Sequence, residues 1–153
     1  MKISVTRRID APKNELWPYV ADFKNIYRFH PLLKSSHALD DSQVSCEVGA
    51  TRQCDMIDGN HIREKVIDYK EHSHYTVDIF ETSMPITEAQ ATIGVKDIGN
   101  GQTLAYMNME MTPKYGFLTP VMYPMFRYFA APSILRGLEK IHKKEKTLQV
   151  VAA

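Results

Sequence analysis

Net charge is almost absent from this sequence, cysteine is scarce, and long apolar runs are missing; each shortage removes a class of function. With 19 Lys and Arg against 18 Asp and Glu, the formal net charge is +1. No global field gathers polyanions, so a nucleic-acid partner is not expected. The only cysteines are Cys46 and Cys54, and the opening MKISVTRRIDAP has no apolar stretch resembling a signal peptide. Reduced thiols and a cytoplasmic location are therefore predicted. The most apolar region, 115 to 135, is interrupted by prolines and by Arg127, so no transmembrane segment is expected. Neither a phosphate-binding glycine loop nor a nucleophile elbow occurs. His30, His37, His61, His72, His74 and His142 lack metal-motif spacing, and no metal or other cofactor is predicted. His72 and His74 read as solvated neighbours on one strand face. There is no repeat, low-complexity tract or linker, and with 44% hydrophobic residues the whole of 1–153 reads as one domain.

What is present has a clear order. Residues 2 to 9 alternate, with Ile3, Val5 and Arg7 on one face, and Asp10-Ala11-Pro12 ends that strand and starts a helix. Leu16, Trp17, Tyr19 and Val20 follow at roughly helical spacing, and a second short helix begins near Asp22 with Phe23 and Ile26. Phe29-His30-Pro31 closes it, because the residue before proline avoids helical geometry. Turn signals then recur at Asp40-Asp41-Ser42, Asp58-Gly59-Asn60, Glu71-His72-Ser73, Ser83-Met84-Pro85 and Gly99-Asn100-Gly101, predicting a long antiparallel meander of about six strands. The last third turns helical, with Phe126, Phe129, Ile134, Leu138 and Ile141 near helical spacing and a polar face from Arg136 to Gln149. Thr119 is placed to cap a helix at Pro120, while Pro124 and Pro132 predict a broken or kinked start. An α+β architecture follows, in which a curved sheet wraps around a terminal helix.

Period-two alternation assigns the faces. Ala105, Met107, Met109 and Met111 point inward on one strand, Ala89, Ala91, Ile93 and Val95 on a second, and Tyr75, Val77 and Ile79 on a third; Phe80 falls outside. In the hairpin VGATRQCDMIDGNHIREK, Cys54 and Met56 belong inside and bring Arg52 with them; Ile62 and Val66 bring Glu64. Two charges thus face the interior. A turn at Asp58-Gly59-Asn60 sets Cys54 opposite Glu64 with Arg52 one diagonal step away, whereas a one-residue turn sets Arg52 directly opposite. A buried unpaired charge costs several kcal/mol. The pair is therefore either an ion pair closing the sheet or the polar wall of a cavity anchored by Glu64, for which small alanines and adaptable methionines leave room. Cys54 reads as an inert core thiol.

The stretches IDAPKNELWPYVADFKNIYRFHPLLKSS, VGATR, DG, REK, ETSMPI, GNGQTLAYMNMEMTP and LRGLEK, in this order, resemble the START-like helix-grip superfamily (SRPBCC). The resemblance is greatest to the bacterial polyketide cyclase/dehydrase and lipid-transport family. It implies a seven-stranded antiparallel sheet gripping the C-terminal helix, two short helices after the first strand, and a largely apolar ligand cavity. The VGATR hairpin is also similar to that of plant abscisic acid receptors. On that match Glu64 falls on a pocket carboxylate and His30 on the position of a ligand-binding lysine. Asp58-Gly59-Asn60 and Met84-Pro85-Ile86 stand where those receptors have their gate and latch, so a hormone switch is not implied.

Together, alternation and resemblance give an expected ligand surface of His30, Leu33, Arg52, Cys54, Met56, Glu64, Val77, Ile79, Ala89, Ala91, Met107, Met109, Phe126 and Phe129. Binding of a small apolar molecule with one polar group leads. A cyclase or dehydratase using His30 and Glu64 as acid and base is the alternative. A third possibility is an interaction module docking through 115–129, where aromatics and methionines surround the helix. That segment is expected to be buried, a lid, a homodimer contact or a membrane-touching portal.

Overall fold

The computed structural model of the chain describes residues 1–40 and 45–153. β1 (Lys2–Ile9) leads to α1 (Lys13–Ala21) and a 3-10 turn, Phe23–Arg28. Six strands follow: β2 (Leu33–Ala38), β3 (Thr51–Met56), β4 (His61–Lys70), β5 (His74–Thr82), β6 (Ile86–Gly99) and β7 (Gln102–Pro113). They form one seven-stranded antiparallel sheet in the order β1-β7-β6-β5-β4-β3-β2, the expected meander with β1 added to its far edge. A 3-10 turn at Gly116–Leu118, α2 (Thr119–Pro124), a π-helical segment Met125–Ala130 and α3 (Ala131–Ala152) complete the chain. The expected turn at Asp40-Asp41-Ser42 lies partly outside the described residues.

Bulges bend the sheet around α3. One sits where β5 passes Arg63 and Glu64: Arg63 pairs with Glu81 and Glu64 with Ile79, leaving Phe80 unpaired and exposed. Another lies between Val66 and Asp68 on β4, where Ile67 is the extra, exposed residue. The concave face then meets one side of α3, burying Ile3, Val5, Ile93, Val95 and Ala105 with Ile134, Leu135 and Leu138. Each fully buried Leu or Ile contributes roughly 1.5–3 kcal/mol before ordering entropy is subtracted. Arg7, on the inner face of β1, ion-pairs with Glu139 of α3.

Further contacts position the start of β2. Tyr19 donates to Glu145 at 2.7 Å, Arg28 ion-pairs with Glu145, and His142 Nε2 lies 2.7 Å from Glu15 Oε2, tying α1 and the following turn to α3. Gly137 lets α3 pass directly over the Phe29 carbonyl; a Cβ there would lie 1.8 Å from that oxygen. The Phe29-His30-Pro31 segment is thereby pressed against the helix.

Several expectations need correction. The β3–β4 turn is a three-residue loop, Ile57 to Gly59, closed between Met56 and Asn60, with Gly59 at φ +89° as such loops require. Arg52 consequently pairs directly with Glu64, and Cys54 with Ile62. Thr119 is not a cap; Leu118 precedes α2, with no side-chain cap bond. Helical structure runs on from Gly116 to Ala152, and the break is a change of helix type. Pro124 and Pro132 each remove a donor from the ladder, and Met125–Ala130 between them takes the wider π spacing. His72 is exposed as expected, but the two do not share a strand face: His72 occupies a turn at φ 59°, while half-buried His74 lies 2.8 Å from Asp68.

Candidate functional site

Between the concave sheet and the helical C-terminal third lie two adjoining voids of about 70 Å³ and about 40 Å³. The larger is walled by apolar side chains of β2 to β7, the π segment and α3, with His30 and Glu64 as its only polar side chains among the described residues. The smaller continues past the same two residues to Arg52, Cys54, Tyr75 and Val77. Larger open grooves, about 440 Å³ and about 530 Å³, run along the outside of α3. The first is lined by the salt-bridged Glu15, Arg28, Glu145 and Lys146 and offers little apolar enclosure.

Arg52 enters this interior from β3 because strand parity gives it no other direction. Its Nε donates to Glu64 Oε2 at 2.6 Å, and its Nη1 donates to the Phe23 carbonyl at 2.9 Å and the Tyr75 hydroxyl at 3.4 Å. The guanidinium also lies over the Phe23 ring, 4.1 Å from its centroid. Excellent geometry of this kind is what lets a charge pair tolerate burial. The pair is therefore an ion pair and part of the cavity wall at once. Burial, reinforced by the Glu64 charge, pushes the neighbouring Cys54 thiol up to about 12, and burial pushes the Tyr75 hydroxyl up to about 12. Neither is a nucleophile near neutral pH.

His30 reaches the voids from the segment that Gly137 holds in place. As a residue it keeps some exposure, yet its Nδ1 is sealed from solvent and has no hydrogen-bond partner. Burial, with the positive charge of Arg52 adding to it, pushes the imidazole down from 6.5 to about 3. The ring is neutral at any ordinary pH.

Of the ligand-surface residues expected from sequence, Met56, Ile79, Ala89, Met109 and Phe126 line the larger void, and Arg52, Cys54 and Val77 the smaller; His30, Leu33, Glu64, Ala91 and Met107 line both. Phe129 does not. It is 69% exposed, because the π spacing turns Phe126, Ala130 and Ala131 inward and rotates Phe129 to the outside. Sequence reasoning missed Leu32, Met84, Ile86 and Ala130, which sit at element ends and in the helix of irregular spacing, where no period assigns a face. Tyr75, Met111 and Ile134 carried an inward or helical signal and were left out of the expected surface.

The segment 115–129 is not buried all round. Met122 and Phe126 face inward, while Tyr115, Phe117, Val121, Met125, Tyr128 and Phe129 are exposed. Among the described residues, no group of three or more His, Cys, Asp or Glu is placed to hold a metal ion, and no helix is long and apolar enough to cross a membrane.

A family profile described as polyketide cyclase/dehydrase and lipid transport matches residues 1–144. No curated protein matches the sequence. Among solved structures, the chain is similar to the protein XoxI from Bacillus cereus (19% identity, 95% of this chain and 97% of that one, TM-score 0.75). It is also similar to a START superfamily protein from Mycobacterium smegmatis (14% identity, 94% and 97%, TM-score 0.73). Norcoclaurine synthase from Thalictrum flavum, in complex with dopamine and hydroxybenzaldehyde, aligns over 94% of this chain and 87% of that one, at 14% identity and TM-score 0.67. At these identities the likeness establishes the helix-grip fold.

Proposed function

The chain belongs to the polyketide cyclase/dehydrase and lipid-transport family, and from that premise we propose that it binds a small, mostly apolar, lipid- or polyketide-like molecule between sheet and α3, for transport or sequestration. The observation that carries this is the apolar wall in which, among the described residues, His30 and Glu64 are the only polar side chains of the larger void. The voids hold a few waters, well short of the roughly 300–1,000 Å³ of ordinary ligand pockets. A ligand must therefore enlarge them. Met56, Met84, Met107, Met109 and Met111 are in the wall and can change rotamer at little expense. The segment from Gly116 to Ala130, with its proline-interrupted ladder, is the element best suited to lift as a lid. Norcoclaurine synthase, in complex with two small aromatic molecules, is a precedent for this fold as a host.

Acid–base catalysis by His30 and Glu64 is less well supported. An imidazole held down to about 3 is a weak base and lacks the imidazolium proton that a general acid would transfer near neutrality, and Glu64 is tied to Arg52. Native mass spectrometry of the protein as purified tests binding: a retained small molecule supports it, and an empty chain that takes up no apolar compound contradicts it.

The outer face of the lid favours contact with an anionic membrane surface. Phe117, Val121, Met125 and Tyr128 recur at helical spacing along one exposed stripe. From Met111 to Leu138 there is no Asp or Glu, while Lys114 and Arg127 flank the stripe, each beside an exposed tyrosine ring. Basic residues beside exposed aromatics suit the anionic cytoplasmic leaflet. Flotation with phosphatidylserine vesicles should carry the protein, with loss on Phe117→Ser/Val121→Ser. A dimer in solution that ignores vesicles would assign the stripe to a second copy instead.

A further inference from the structure

Glu64 has a strong partner in Arg52, but one atom of the other polar side chain of the wall does not. His30 Nδ1 is shut away from solvent and makes no hydrogen bond among the described residues. Native proteins leave few buried polar atoms in that condition, because the unmade bond is a loss relative to water. Resting on the cavity described above, we infer that the ligand carries a neutral hydroxyl on a compact apolar frame, and that this hydroxyl hydrogen-bonds to His30 Nδ1.

The alternatives fit less well. A carboxylate would be buried against the like charge of Glu64, which already holds the Arg52 Nε, while Nη1 donates to the Phe23 carbonyl and the Tyr75 hydroxyl. The ring is also uncharged, since burial and Arg52 hold it down to about 3. An ammonium would lie against the Arg52 guanidinium without a free carboxylate of its own. A carbonyl can only accept, so it serves one tautomer of the ring and sets an oxygen lone pair beside the Glu64 carboxylate. A hydroxyl has one proton and two lone pairs, and satisfies Nδ1 in either tautomer. The frame must be small: an apolar cavity of roughly 150 Å³ takes up benzene, and the two voids here, at about 70 Å³ and about 40 Å³, reach that size only after some movement of the methionines.

Phenol and toluene have nearly the same shape and differ at this one group, so the pair isolates it. Calorimetric titration of the whole chain should show phenol binding at least about tenfold more tightly than toluene, the scale of one buried hydrogen bond made or unmade, with benzoate not binding. In ¹⁵N spectra of the imidazoles, phenol and not toluene should move the His30 Nδ1 resonance. His30→Leu removes the unpartnered atom and keeps an apolar wall; in that variant toluene should bind at least as tightly as phenol. Toluene binding as tightly as phenol to the unaltered protein, with Nδ1 unmoved, would overturn the hydroxyl and leave the apolar cavity standing. Absence of binding by both compounds would overturn the two together. The comparison in the unaltered protein decides the matter even if His30→Leu fails to fold.

Discussion

Arg52 and Glu64 show how far a single strand can be read. Their inward direction follows from the alternation of Cys54, Met56, Ile62 and Val66, and the structure buries both. What surrounds Arg52 does not follow, because the Phe23 carbonyl and the Tyr75 ring come from elements far away in sequence. That environment makes a prediction. Arg52→Met should destabilise the protein by about 3–5 kcal/mol, since it strands a buried carboxylate, while adding Glu64→Leu should recover most of the loss. Urea unfolding of the two variants measures the difference; equal losses would mean that the charges are not coupled. His30 supplies a pH test. Its folded value is depressed from 6.5 to about 3, so the unfolded chain binds the extra proton between those limits. The contribution of the neutral ring is complete above pH 6.5 and is lost as pH falls toward 3. Between pH 7 and 4.5 the protein should lose about 2–3 kcal/mol more than His30→Leu does. Parallel curves would place the ring in water.

The strands and their turns were legible, because each has its own period and its own punctuation. Phe80 falls outside as alternation expects, and the β5 bulge leaves it unpaired there. Phe129 is the failure at the element scale: it leaves the cavity because its helix widens between two prolines, a local irregularity that only tertiary packing fixes. Prolines in the sequence announced a disturbed start to the terminal helix; they did not say that the disturbance would be a π segment. Gly137 is a quieter case. Mid-helix glycine is ordinarily unfavourable by about 1 kcal/mol relative to alanine, so propensity alone expects Gly137→Ala to stabilise α3. The Phe29 carbonyl expects the reverse, because the added Cβ must displace backbone. We predict a loss of about 1–3 kcal/mol, the usual range for overpacking, together with altered amide shifts from Phe29 to Leu33. A gain in stability without such shifts would show that α3 does not press on this segment.

At the scale of the whole molecule, the order of elements and the seven-stranded sheet around a terminal helix were readable from turn signals and resemblance together. The volume of the interior was not, since alanines and methionines on a concave face fit a filled core as well as an open one until helix and sheet are set against each other. The central claim is that these side chains enclose a space that takes up an apolar molecule. The eight methionines test it from within. Met56, Met84, Met107, Met109 and Met111 line the larger void, whereas Met1, Met122 and Met125 do not. With ¹³C-methyl methionine and toluene as the probe, the account predicts saturable shifts in the five cavity methyls and little change at exposed Met125 or at Met1. Shifts confined to Met125, or no saturable shift at the five, would place the molecule outside the grip of sheet and helix and contradict the account.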